Sequence, residues 1–457
     1  SPNQVALKYF FLVPDSFDVS NSKLCEFNNI EETSNFNTLW TINLELPNGE
    51  YSESNLPEIQ PNYFQGKLQT NPEILISKAP IQKINFPLDG KNISLAFGYS
   101  ISKEDLENLE FYVPLHLKFI AERTGNVPSK LFINEKFKSK EEFLGNKDIK
   151  FWKFHFALFS KAEQVDLDYF SILSQKVMEE SFIINKNENH WFTNGLQTYM
   201  EMQYLKKFYS ESKLLGMLPE AKILGIKPLK LFHASDLKLI ERYGIAYQYM
   251  MTQNLDQKIE EPFTELSNFN SMAISNFETG ILFNYVAEKM GENSFDEFLQ
   301  NYLIKNKNSE INTEVFLQQL AAKSEASSQF LSSYISKKQR VNFNAKSFKR
   351  KDGNLQIRVK KKSKLPVPFK LQTYSENGDV QSYWFETEAK KTDEYYEVPD
   401  KNIYKIEVND ERSFPESSFR DNYLYTKGLF SNMKKIKFKL IKDVPNPEYN
   451  EIYLNPR

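Results

Sequence analysis

The period of the apolar residues changes twice along this chain, and those two changes limit the fold more than any other feature. From residue 1 to about residue 102, short runs alternate apolar with polar, as in Leu39-Trp40-Thr41-Ile42-Asn43-Leu44 and Lys83-Ile84-Asn85-Phe86. Turn residues recur between these runs, which is the pattern of half-buried β-strands. From Lys103 the spacing turns helical. It predicts helices over 103–122, 166–180, 191–210, 235–252, 276–290, 294–303, 313–323 and 326–335, with Ser102 as an N-cap and a strand over 151–159. Near Val341 the period returns to two. Residues 355–359, 369–373, 382–386 and 403–408 read as strands of a sandwich, with Gly353 and Asn377-Gly378 in the turns. The stretch from about Phe419 reads as a tail.

The pattern therefore specifies a multidomain α+β protein. An N-terminal β domain occupies 1–102, a mostly helical domain 103–340, a small C-terminal β-sandwich 341–419, and a basic tail 420–457. The length of 457 residues agrees, at roughly 150 residues per domain. With 40% hydrophobic and 26% charged residues, the chain is neither disordered, collagenous nor a coiled-coil rod. Mean hydropathy is -0.55, and the longest apolar runs, 9–13 and 154–159, fall far short of the ~18 residues a membrane helix needs. A formal net charge of -2 argues against nucleic acid as a partner of the whole chain. Ser1-Pro2 is not a natural start, so the chain reads as a mature or excised portion.

The inventory of metal-binding residues is thin. Cys25 is the one cysteine, so no intramolecular disulfide and no paired-cysteine metal site can form. A reactive role for Cys25 lacks a neighbouring histidine or base. The four histidines, His116, His155, His190 and His233, give no local pair at ligand spacing. His116 and His155 sit among apolar residues and read as core histidines; His190 reads as a capping or surface group.

One segment carries a family likeness. His190-Trp191-Phe192-Thr193-Asn194-Gly195-Leu196-Gln197-Thr198-Tyr199-Met200-Glu201 resembles the W-L-N-E-G-F-A-x-Y-x-E segment of zinc aminopeptidases of the aminopeptidase N type, gluzincins with a thermolysin-like domain. Trp191, Gly195, Thr198, Tyr199 and Glu201 fall in step with it. That family's zinc-ligand Glu corresponds to Asn194. Its H-E-x-x-H motif, nineteen residues earlier, corresponds to Ser171-Ile172-Leu173-Ser174-Gln175. A later Y-E-K-G-A-like segment corresponds to Phe277-Glu278-Thr279-Gly280-Ile281, where Phe277 lacks the tyrosine hydroxyl. The family's G-x-M-E-N strand has no match upstream of Ser171. Looser likenesses run through Ser294–Tyr302, Thr313–Phe316 and Phe414-Pro415-Glu416 with Arg420-Asp421-Asn422, so the resemblance covers about 103–422.

By this resemblance the frame survives and the chemistry does not. A catalytic zinc takes imidazoles and a carboxylate and keeps one position for water. Ser171, Gln175 and Asn194 offer only neutral oxygens and amides; Ile172 cannot act as a base, and Phe277 cannot donate to an oxyanion. The resemblance thus implies a degenerate, catalytically inactive aminopeptidase-like scaffold or binding module without a cofactor, whose vestigial cleft could hold an extended peptide. The alternatives are an active metallopeptidase or hydrolase with an unrecognised site, and a carbohydrate- or lipid-binding surface protein. Ser171 as a nucleophile has no histidine near it in sequence.

Two basic runs, Lys346–Lys364 and Lys434–Lys442, alternate with apolar residues. They read first as solvated strand faces and second as patches for anionic lipid or an acidic partner. Asp443–Arg457 resembles the lead-in of relatives in which such a domain precedes an outer-membrane β-barrel. That likeness implies a periplasmic, membrane-proximal place in an outer-membrane protein complex, with the cytoplasm as the alternative.

Overall fold

The computed structural model describes residues 3–11, 38–68, 70–134, 149–151, 154–222, 225–427, 434–439 and 443–454. Cys25 lies outside them, as does the side chain of His155. The period-two region forms three small sheets. Ile74–Ser77 is the middle strand between Gln4–Leu7 and Tyr51–Ser54, and Tyr63–Leu68 is the middle strand between Thr38–Asn43 and Glu58–Gln60. Alternation brings Ile42 opposite Phe64, and both are buried. The third sheet begins as a hairpin, Gln82–Leu88 with Lys91–Phe97. Asp89 and Gly90 both take positive φ at its tip, the geometry that matches strand twist in a two-residue turn.

That hairpin leads into the helical part. Helix α1 (Lys103–Thr124) starts on Ser102, whose side chain accepts from Asp105 N at 3.1 Å, and stops at Gly125 with φ +68°. The chain then returns as Lys130–Ile133, parallel to Lys91–Phe97, a β-α-β crossover. Leu109, Val113, Leu117 and Ile120 of α1 face the core beneath this sheet. Two buried carboxylates tie the β domain down. Glu53 pairs with Lys83 at 2.5 Å and with Lys130, while Glu73 takes Lys8 and Lys176, each at 3.0 Å.

The longer remaining helices among the described residues are α2 (Lys161–Ser181), α3 (Lys186–Phe208), α4 (Arg242–Thr252), α5 (Thr279–Met290), α6 (Glu292–Lys305), α7 (Thr313–Ser324) and α8 (Ser328–Ser336). Three expectations need correction. The strand over 151–159 is a hairpin, with Ile149 opposite Phe156. The helix over 235–252 begins as two short 3-10 turns, and only 242–252 is α-helical. The helix over 276–290 grows out of a π-helical segment, Ser271–Glu278. The preceding run is rich in Asn and Ser, whose side chains compete for backbone groups, and Thr279 Oγ1 reaches back to Ile274 O at 3.3 Å.

The C-terminal strands form two facing sheets. Asn354–Lys361 is the middle strand between Phe343–Lys351 and Asp393–Pro399; the other sheet runs Val380–Phe385, Phe369–Ser375, Ile403–Val408, Tyr423–Tyr425. The stretch read as a tail from 419 is therefore strand-forming. Tyr423–Tyr425 completes the sandwich, and Lys435–Lys439 pairs in parallel with Tyr449–Tyr453. Alternating lysines concealed the apolar half of that pattern. The basic run 346–364 is also less solvated than its charge suggests. Lys361 is buried, donates to Leu365 O at 2.5 Å and Thr387 Oγ1 at 2.7 Å, and burial pushes its ammonium down to about 8. Arg358 and Lys360 share Asp393.

Candidate functional site

Helices α2 and α3 hold the residues singled out by sequence. A capping box between Ser160 and Glu163 fixes the start of α2, and Asn185 caps α3. Both helices are lined with buried side chains, among them Phe170, Leu173 and Val177 on α2 and Trp191, Leu196 and Tyr199 on α3. The two helices pack against each other, yet the three positions that would carry metal ligands turn to three different partners. Ser171 Oγ, 3% exposed, donates to Glu201 Oε1 at 2.7 Å. Gln175 Nε2 donates along its own helix to Glu179 Oε1 at 3.1 Å. Asn194 Nδ2 donates to Ser275 Oγ at 3.1 Å. Ile172 is buried in the main core, and Phe277 packs edge-on against Tyr243 with ring centres 4.9 Å apart.

The centre of this region is Glu201, the last residue of the matched segment. Its Oε1 accepts from Ser171 and from Gln197 Nε2 at 3.1 Å, and its Oε2 accepts from Tyr243 Oη at 3.0 Å. Buried Arg242 faces the same carboxylate and Asp168. Burial pushes the Glu201 carboxyl up, while these donors and Arg242 oppose the shift. Sequence reasoning named Glu201 only as a matching letter and missed Gln197, Tyr243 and Arg242. No spacing rule links position 201 to 242; the fold alone joins them.

These residues do not fit the zinc that the resemblance implies. The three donors are uncharged and already engaged, and the nearby carboxylate already accepts from three donors of its own. Among the described residues no group of three or more His, Cys, Asp or Glu side chains could hold a metal ion. His190 is an interior group rather than a surface one. Its Nε2–H donates to Glu261 O at 2.8 Å, its Nδ1 meets Ser275 Oγ at 2.6 Å, and burial pushes it down to about 4. His116 is buried, as expected, with Nε2 2.5 Å from Asp166 Oδ1; Tyr204 and Tyr209 donate to the same carboxylate at 2.7 and 2.5 Å. This clamp ties α1, α2 and α3 together, with His116 and Asp166 buried and Tyr209 half-buried at its edge. Elsewhere, a cavity of about 50 Å³ lies between α3, α5 and the sandwich, bordered by Met202, Lys206, Glu288 and the Glu241–Arg412 ion pair. It has room for a few waters.

Two carboxyls near the matched segments set a pH dependence. Glu278 accepts from Tyr334 Oη at 2.8 Å, and Glu416 accepts from Phe343 N, Asn409 and Asn422 at 2.6–2.9 Å. Burial pushes each up to about 8 from 4.5. A raised acid binds more protons folded than unfolded, so its contribution is complete below pH 4.5 and is lost as pH rises to about 8. His190 acts on the other side, because its contribution is lost as pH falls from 6.5 to about 4. Thermal unfolding is expected to show a midpoint that declines from mildly acidic pH toward pH 8, as the unfolding free energy falls by about 1.4 kcal/mol per carboxyl and pH unit. Glu278→Gln should flatten that decline; an unchanged slope would refute the assignment.

Comparison with known proteins places the architecture. Legionella pneumophila aminopeptidase A, solved in complex with aspartic acid, aligns over 83% of this chain and 42% of its own, with 10% identity and a TM-score of 0.50. An M1 zinc metallopeptidase mutant from Deinococcus radiodurans, bound to a Tyr-Ser-Ala substrate, aligns over 63% of this chain and 61% of its own, with 10% identity and a TM-score of 0.39. By the Legionella alignment the chain has an aminopeptidase-like arrangement of β domain, helical domain and C-terminal strands, and it spans less than half the length of that protein. Residues 297–418 match the family model of a cilia- and flagella-associated protein 65-like Ig-like domain, a span that contains most of the sandwich strands. No curated protein sequence matches the chain.

Proposed function

We propose that this chain is a peptidase-shaped binding or scaffolding module that does not hydrolyse peptides. The observation that carries the reading is the Ser171–Glu201–Tyr243 network. It engages Ser171, one of the three positions where the resemblance puts metal ligands, while Gln175 and Asn194 are engaged by Glu179 and Ser275. Ile172 and Phe277 leave the positions of base and oxyanion donor without a polar group. Its partners are other proteins, met at its surfaces. The likeness of the C-terminal stretch to barrel lead-ins favours a periplasmic setting beside the outer membrane.

Metal analysis of the purified chain is expected to find no stoichiometric zinc, and chromogenic aminoacyl anilides are expected to show no turnover. Stoichiometric zinc with turnover would overturn the reading. Restoring Ser171→His, Gln175→His and Asn194→Glu together should yield weak zinc uptake but little hydrolysis, since neither Ile172 nor Phe277 is repaired.

A further inference from the structure

The paired strands Lys435–Lys439 and Tyr449–Tyr453 are built inside out. Their inner face is polar. Lys439 is buried, pairs with Glu451 at 2.6 Å and lies 3.7 Å from Asp443, which accepts from the backbone N–H groups of His233 and Ala234. Glu448 adds an ion pair to Lys405 at 2.5 Å. This network fixes which side faces the body of the protein. The register then sets Ile436 opposite Asn450 and Phe438 opposite Ile452 on the outer side. Ile436, Phe438, Ile452 and Leu454 are 57%, 64%, 42% and 50% exposed.

Three physical facts make such a ribbon incomplete. Parallel strands occur almost only with both faces covered. Two strands are fewer than the three needed for independent stability. Among the described residues the ribbon has no third strand, and no described strand pairs with its outer edges. Arg420, Lys435 and Lys437 make no ion pair among the described residues; Lys435 and Lys437 alternate with the apolar row and share the face of Lys439, with Lys437 over the Tyr449 ring. Burial together with the Arg420 charge pushes Lys434 down to about 8 against Asp421 and Glu448.

We propose that this ribbon is a docking site for an extended strand of a partner protein, one that alternates apolar residues toward the exposed face and carries acidic residues at its flanks. Strand addition satisfies the open edge, covers the apolar row and neutralises the lysines. A lipid surface covers the apolar row but leaves edge N–H and C=O groups facing hydrocarbon. A second copy brings a second basic edge against the first. The inference names one surface of the scaffold reading, and it stands whether or not the cleft is active.

A displayed library of random dodecapeptides, panned against the full chain, provides the test. The recovered peptides are expected to alternate apolar residues between Asp or Glu flanks. Phe438→Asp should weaken them about tenfold or more, with an unchanged unfolding midpoint because Phe438 is already exposed. Lys435→Glu with Lys437→Glu should switch the recovered flanks to basic. Amide exchange should slow over 435–439 and 449–453 when peptide binds. Recovery of no peptide sensitive to Phe438→Asp overturns the proposal. So does Phe438-dependent binding to phosphatidylglycerol vesicles in place of peptide, or a Phe438-dependent dimer.

Discussion

Glu201→Ala is expected to cost the fold about 3–5 kcal/mol, the range for removing one partner from a buried charged network. The loss is large because four groups depend on one carboxylate. Ser171, Gln197 and Tyr243 each donate to it, and buried Arg242 faces it. Alanine would leave three donors and a guanidinium buried without their acceptor. Glu201→Gln should cost less, since one carbonyl oxygen remains. Urea unfolding of the two variants separates these cases. A cost below about 1 kcal/mol for alanine would mean that the network is wet and that the site is open rather than filled.

The second large effect is expected at two glycines that sequence comparison had marked only as landmarks. A Cβ on Gly195 would stand 2.4 Å from Thr279 Cγ2, and one on Gly280 would stand 2.4 Å from Thr198 Cβ. The glycines are reciprocal: each helix, α3 and α5, gives up a side chain where the other offers a threonine. Gly195→Ala or Gly280→Ala in an unconstrained helix would stabilise by about 1 kcal/mol through propensity. Here the helices must separate, and a net loss of about 1–3 kcal/mol is expected for each. The sign of the change is the measurement. A gain at both positions would show that the crossing is loose.

Much of this fold was readable from periodicity, because the core is organised by it. The capped helix after Ser102 and the strands over 354–361 and 403–408 declare themselves through local spacing and turn residues. What stayed hidden depends on contacts between distant residues. Nothing near Glu201 announces Tyr243, and nothing near Gly195 announces Thr279. The π-helical turn before Thr279 looked helical because its apolar spacing is nearly helical. The C-terminal ribbon looked like a charged tail because its lysines alternate with residues that, unlike those of most strands, point outward. The segment around Trp191 led to the right architecture for a packing reason: Trp191 and Tyr199 are fully buried and Gly195 lets two helices touch, so these residues serve the frame independently of any chemistry.

The helical part and the sandwich share one apolar cluster that runs without a break from Phe86 to Leu424. Tyr285 sits at the seam, its ring 5.0 Å from Trp384 and 4.8 Å from Phe414, and its hydroxyl bonded to Pro368 O and Asn409. Two parts packed in this way are expected to depend on each other for stability. A protease that nicks the sandwich exposes the underside of α5, and a truncation before Phe343 leaves the helices with a raw apolar flank. Calorimetry should therefore see the two parts melt in a single transition.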